Sequence, residues 1–180
     1  MARKPVPEAQ LVDTEVGKKP EGDGWFVVNV ADAAAMGIDD GLYGVIFEGA
    51  FGSFPHLGIN VRVLGPGRPA AMYHAESGQE AFLVLQGEAV LIVEDEERPL
   101  RQWDFAHCPP NTAHVIVGAG DSPCVVLMVG ARIAGRELTF PASETAARYG
   151  ASVTEDTDDR AVAYAKWPQL EPGRFPWPPT

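Results

Sequence analysis

The sequence predicts an all-β fold, a small sandwich or closed barrel, and three observations carry that prediction. From residue 43 onward the apolar residues come in short runs of four to seven, too short for ordinary helices. Turn-forming residues separate those runs. The chain of 180 residues holds 19 glycines and 16 prolines, a high share for a helical protein and a natural one for strands joined by tight turns.

The elements follow in order. Residues 1–24 are rich in Pro, Gly and charge and read as an extended N-terminal arm. Trp25–Val30 is a strand candidate. Ala31–Met36 reads as a short helix, with Asp32 near its start and Gly37 as its stop. Strands are expected at Tyr43–Phe47, Gly58–Leu64, Ala81–Leu85, Ala89–Val93, Asp104–Cys108, His114–Val117 and Cys124–Val129. The turns between them are Pro66-Gly67, Ser77-Gly78, Gln86-Gly87, Glu94 to Glu97, Pro109-Pro110-Asn111 and Gly118–Pro123. Residues 143–151 read as a short helix capped by Ser143. The stretch from Trp167 to Thr180 carries too many prolines for a helix or the middle of a sheet. Its tryptophans suggest packing along the domain surface or onto a partner, against the alternative of a disordered tail. The division is therefore an arm (1–24), a β-domain (25–140) and a C-terminal extension (141–180).

Composition narrows the function classes. Hydrophobic residues make up 46%, enough for a packed core. With 14 basic and 25 acidic residues the formal charge is −11, which argues against nucleic acid and anionic membranes as partners. No apolar run approaches the ~20 residues of a membrane span, and the N-terminus lacks the apolar core of a signal peptide. A soluble, cytoplasmic protein is expected. Cys108 and Cys124 form no CxxC pair and read as reduced thiols. No glycine-rich phosphate loop points to a nucleotide cofactor.

The chemistry concentrates in four residues. His74, Glu76 and Glu80 fall within nine residues, Met72 to Glu80, and His114 follows Pro109-Pro110-Asn111. Strand alternation puts His74 and Glu76 on one face. A hairpin at Ser77-Gly78 would bring Glu80 opposite them, and His114 could complete the set from another wall. Imidazole and carboxylate together are metal donors. Phe82 and Val84 continue the same-face alternation from Glu80 and are the candidate apolar wall of a substrate pocket. His107 is a candidate acid/base or pocket residue, against the alternative of a hydrogen-bonded core histidine. Cys108 reads as a small buried hydrophobe rather than a pocket thiol, and His56 as a surface residue.

These residues stand in two motifs that resemble those of the cupin superfamily. The first reads Pro66-Gly67, then His74-Ala75-Glu76, then Glu80, six residues and Gly87. The second reads Trp103, five residues, Pro109-Pro110-Asn111, two residues, His114, three residues and Gly118. The resemblance covers roughly residues 40–135. It implies a jelly-roll β-barrel, often dimeric, holding one divalent metal at His74, Glu76, Glu80 and His114. There are four departures from the family pattern. Glu76 stands for the second histidine of the first motif. In the second motif, Trp103 and Asn111 stand for glycines and Gly118 for an asparagine.

Glu76 leaves the metal open among Fe, Mn, Ni and Zn, because imidazole and carboxylate favour different ions. If one carboxylate binds, two histidines and that carboxylate resemble a non-haem Fe(II) triad, and the other carboxylate, Glu76 or Glu80, is free to act as a general base. Glu76 and His107 are the candidate catalytic residues. The expected function is an oxygenase-type metalloenzyme acting on a small organic substrate, in a homodimer. The alternatives are a non-catalytic cupin that binds a metal or small ligand, and a metal-dependent isomerase or lyase.

Overall fold

The computed structural model describes residues 3–39, 41–48, 54–177 and 179; Met1, Ala2, Pro178 and Thr180, at the ends of the expected arm and extension, lie outside them. A hairpin of β1 (Gln10–Thr14) and β2 (Gly17–Glu21) comes first. Next come β3 (Ala35–Asp39), β4 (Leu42–Ile46), β5 (Leu57–Leu64), β6 (Ala75–Glu76), β7 (Glu80–Gln86) and β8 (Glu88–Val93). They are followed by β9 (Glu96–Arg101), β10 (Phe105–Cys108), β11 (His114–Ala119), β12 (Cys124–Ala131) and β13 (Leu138–Thr139). Two one-turn helices, α1 (Glu144–Ala147) and α2 (Arg160–Ala163), precede β14 (Glu171–Gly173).

The strands pair antiparallel. A seven-stranded sheet runs β10-β7-β12-β5-β4-β3-β14, a three-stranded sheet runs β11-β8-β9, and β6 pairs with β13. Alternation along each strand builds the core. Leu42, Leu64, Phe82, Val84 and Val126 of the large sheet meet Ala89, Leu91 and Ile116 of the small one in a single buried cluster. Each large apolar side chain so enclosed contributes about 1.5–3 kcal/mol.

The outer faces are covered as well. Ile92, Val115 and Val117 lie under Ala146 and Ala151, and Tyr43, Val61 and Val63 lie under Phe175 and Trp177. Burial on both faces explains why the β11 run has no polar alternation in sequence. The C-terminal extension packs, as its tryptophans suggest. It ends as edge strand β14, where Pro172 is tolerated.

Four local expectations need correction. Ala31–Met36 is not helical: Ala35 and Met36 belong to β3, where ladders to β4 and β14 on either side outweigh the weak helix preference of an alanine run. Trp25–Val30 is not a strand and makes only a bridge from Trp25 to Glu8. Residues 10–21 of the arm form a hairpin. Glu94–Glu97 is a two-residue turn, with Glu94 and Asp95 at φ 49 and 64, that opens directly into β9. The exposed, charged β9 carries no apolar period to reveal it.

The departures in the second motif have backbone consequences. Asn111 and Trp103 keep the left-handed backbone of the glycines they replace, at φ 65 and 75. For Asn this is mild. For Trp103, which is 68% exposed, the strain has little packing to offset it. Gly118 is tied to the loop after β5 by hydrogen bonds to Arg68 and Gly67, and a Cβ there would stand 2.3 Å from the Gly65 carbonyl oxygen.

Two outcomes follow for chemical denaturation. Trp103→Gly is expected to stabilise the protein by up to about 1 kcal/mol; a loss would mean the indole makes contacts that outweigh the strain. Gly118→Asn, which restores the family residue, is expected to cost about 1–3 kcal/mol, and an unchanged midpoint would refute the close approach.

Candidate metal centre

His74 and His114 meet through a backbone bridge. The His74 N–H donates to the His114 carbonyl at 3.1 Å, and the His114 N–H donates to the His74 carbonyl at 2.8 Å. The rings lie 5.1 Å apart. Each ring is oriented from behind, since Nδ1 of His74 is 2.7 Å from the Met72 carbonyl and Nδ1 of His114 is 2.9 Å from the Thr112 carbonyl. A carbonyl can only accept, so both Nδ1 atoms carry hydrogen and both Nε2 atoms face inward. Glu80 opens β7 on the same interior, and its Oε2 stands 2.9 Å from His114 Nε2 and 3.3 Å from His74 Nε2.

With Nδ1 protonated, the neutral rings present two lone pairs to a carboxylate oxygen. Three acceptors at this spacing require positive charge among them, from protons or from a metal ion. Burial alone would raise the Glu80 carboxyl, but hydrogen bonds from His114 and His74 outweigh it and hold the group well below the carboxylate range. Burial alone would likewise lower His114; its hydrogen bonds to Cys108 and Glu80 push it well above the usual imidazole range. The three donor atoms lie within 4.8 Å of one another. Two imidazoles and one carboxylate suit a first-row divalent ion, so the residues present fit the metal that the motifs imply.

The expected hairpin at Ser77-Gly78 does not form. The chain changes sheets there: β6 pairs with β13 and β7 pairs with β12 and β10. Glu80 therefore reaches the histidines across the barrel rather than along a hairpin. Glu76 stands outside the trio. It is 3% exposed, and its carboxylate forms an ion pair with Arg136 that lacks an aligned hydrogen bond. Burial raises its pKa and the Glu80 charge adds to that, against Arg136 and the two histidines. Gly78 leaves room for it, since a Cβ there would lie 2.9 Å from Glu76 Oε1.

His107 is exposed on β10 and does not line the site, because strand alternation turns its neighbour Cys108 inward instead. Cys108 is 1% exposed and touches His114, so the inward thiol takes the place expected of His107. Phe82 sets its ring edge-on to His114 at 5.3 Å, and Val84 is fully buried in the same cluster. Both are packed core behind the trio rather than the wall of an open pocket. On the other side Phe140 lies 6.2 Å from His74 and continues through Tyr164 to Trp167, each ring edge-on to the next. A cleft of about 670 Å³ lies elsewhere, between Leu42, Arg68 and Met72 and the segment from Tyr149 to Pro168. Arg136, on the loop after β12, carried no signal in the sequence.

Residues 60–130 match the family model described as the cupin domain. No curated protein matches the chain. Solved structures do. A protein of Silicibacter pomeroyi described as a sugar phosphate isomerase from a cupin superfamily is 27% identical over 55% of this chain and 64% of its own, with a TM-score of 0.49. One of Acidithiobacillus ferrooxidans, given provisionally as a sugar phosphate isomerase, is 30% identical over 46% of this chain and 55% of its own, with a TM-score of 0.44. The chain thus spans less than two thirds of the length of either. A Thermotoga maritima protein described as a predicted oxalate decarboxylase is 17% identical over 59% of this chain and 99% of its own, with a TM-score of 0.52, and shares the fold. Both motifs fall within residues 60–130, the stretch that matches the cupin domain and that folds as part of the antiparallel barrel.

Proposed function

We propose that the protein is a metal-dependent enzyme of the oxygenase type acting on a small organic substrate, with His74, Glu80 and His114 as the ligands. The observation that carries this reading is the convergence of two inward Nε2 atoms on a single Glu80 oxygen. Two histidines and one carboxylate are the donor set of non-haem Fe(II) centres that keep positions open. A bound ion of this class would supply a Lewis acid able to take O₂ or a substrate oxygen.

The chain's own residues do the rest. The Met72 and Thr112 carbonyls hold the two rings in place. Phe82 and Phe140 exclude water from the imidazoles. Glu76, buried within electrostatic reach of Glu80 and both histidines, is the group proposed to move a proton. Enclosure of the trio, with side-chain exposures of 13%, 18% and 3% for His74, Glu80 and His114, favours a second reading in which the centre holds a metal or small ligand without turnover.

Elemental analysis after loading with Fe(II), Mn(II), Ni(II) or Zn(II) tests the centre. Wild type is expected to hold about one ion, and His74→Gln, Glu80→Gln and His114→Gln to lose at least about 100-fold in affinity; wild type without stoichiometric metal would end the reading. Oxygen uptake by the iron form with candidate substrates separates oxygenase from binding module, and turnover with Zn or Mn under nitrogen would instead indicate carbonyl polarisation. Glu76→Gln is expected to keep its metal, and loss of the ion in that variant would make Glu76 a ligand.

A further inference from the structure

Arg62 is a partly buried cation with no ion-pair partner among the described residues. On β5 it alternates with Leu64, which belongs to the core between the sheets, so Asn60, Arg62 and Leu64 share the interior face. The side chain lies across Gly44 of β4, its cross-strand neighbour, where a Cβ would come within 2.7 Å of the Arg62 Cδ. Glycine at 44 is thus what makes room for the arginine. Among the described residues Arg62 makes no hydrogen bond and no ion pair, and its burial depresses the guanidinium pKa against the influence of Tyr164. One step along the same face, the side-chain oxygen of Asn60 is buried without a partner. A guanidinium left unpaired in an interior is costly, and the cost is relieved when a planar anion takes both arms of the fork.

The two groups line one small cavity of about 150 Å³, together with Gly44, Gly58, Arg132 and Leu170. Glu48 lines it too, but its carboxylate is engaged by Arg132 at 2.6 Å, which leaves Arg62 as the uncompensated charge. Gly58 of the cavity and Glu80 of the trio flank the same residue of β12, Gly130. Glu80 leans over Gly130 of β12, whose missing side chain leaves its carboxylate 3.2 Å from where a Cβ would stand, and Gly130 pairs with Gly58 of the cavity.

We propose that this cavity seats a small oxyanion, the carboxylate or phosphate group of the substrate, with Arg62 as its charge partner. Assigning that group to the substrate rests on the metal-dependent reading above, whereas the anion seat itself does not. A substrate bound this way would place its anionic end over Gly44 and the rest of its length along Gly58 toward Glu80.

Calorimetric titration of malonate, and separately of inorganic phosphate, at constant ionic strength into wild type, Arg62→Met and His74→Gln tests this. At least one anion is expected to bind wild type and His74→Gln alike, and Arg62→Met at least about tenfold more weakly. Malonate as the tighter ligand identifies a carboxylate, and phosphate a phosphate ester. Arg62→Met removes a partly buried charge that has no partner among the described residues and is expected to melt at or above the wild-type temperature, so lost binding would not reflect unfolding. No binding of either anion to wild type, or equal binding to Arg62→Met, overturns the inference. Binding that survives in Arg62→Met but fails in His74→Gln assigns the anion to the metal and overturns it as well. Metal content of the same samples decides the metal reading independently.

Discussion

The two backbone hydrogen bonds between His74 and His114 join a short segment before β6 to the start of β11, and the centre is built on that junction. They hold two imidazoles 5.1 Å apart with both Nε2 atoms turned toward the barrel interior. Once these are fixed, the two inward lone pairs need a positive charge, from a proton or a metal ion, and a carboxylate opposite balances that charge. Glu80 fills that place from the other sheet. The sheet change at residues 77–79, the glycine at 130 and the aromatic cover over His74 are all arrangements that let this contact exist inside an apolar core.

The surroundings divide the charged groups by partner. Glu80 answers the histidines and Glu76 answers Arg136, so the two carboxylates that the first motif places four residues apart have different electrostatic surroundings. That division turns a four-donor set into a triad with a separate buried carboxylate beside it. Arg62 is the third case, a partly buried cation with no answering anion among the described residues. In a chain of net charge −11 it cannot be excused as surplus basicity.

The C-terminal extension is part of the barrel's construction. Phe175 stacks on Tyr43 at 4.8 Å, Trp167 and Leu170 reach the core between the sheets, and β14 adds an edge to β3. Tyr164 accepts a hydrogen bond from the Met72 backbone, close to the turn that aims His74. Residues far from the motifs in sequence therefore fix the enclosure of the centre.

Much of this was legible in the chain. Seven strands lie close to where short apolar runs and turn residues put them, because alternation and turn chemistry are local properties. Residue type and spacing pointed to His74, Glu76, Glu80 and His114 as metal donors, and the structure brings three of the four, His74, Glu80 and His114, together in a group that could hold an ion. The helix expected at Ala31–Met36 failed because ladder partners on both sides are non-local, and β9 was hidden because an exposed polar strand has no period. Which of Glu76 and Glu80 joins the histidines, and whether His107 or Cys108 faces inward, depend on register and on which sheet each strand enters. Those are decided by pairings between residues tens of positions apart, so only the tertiary structure could choose them.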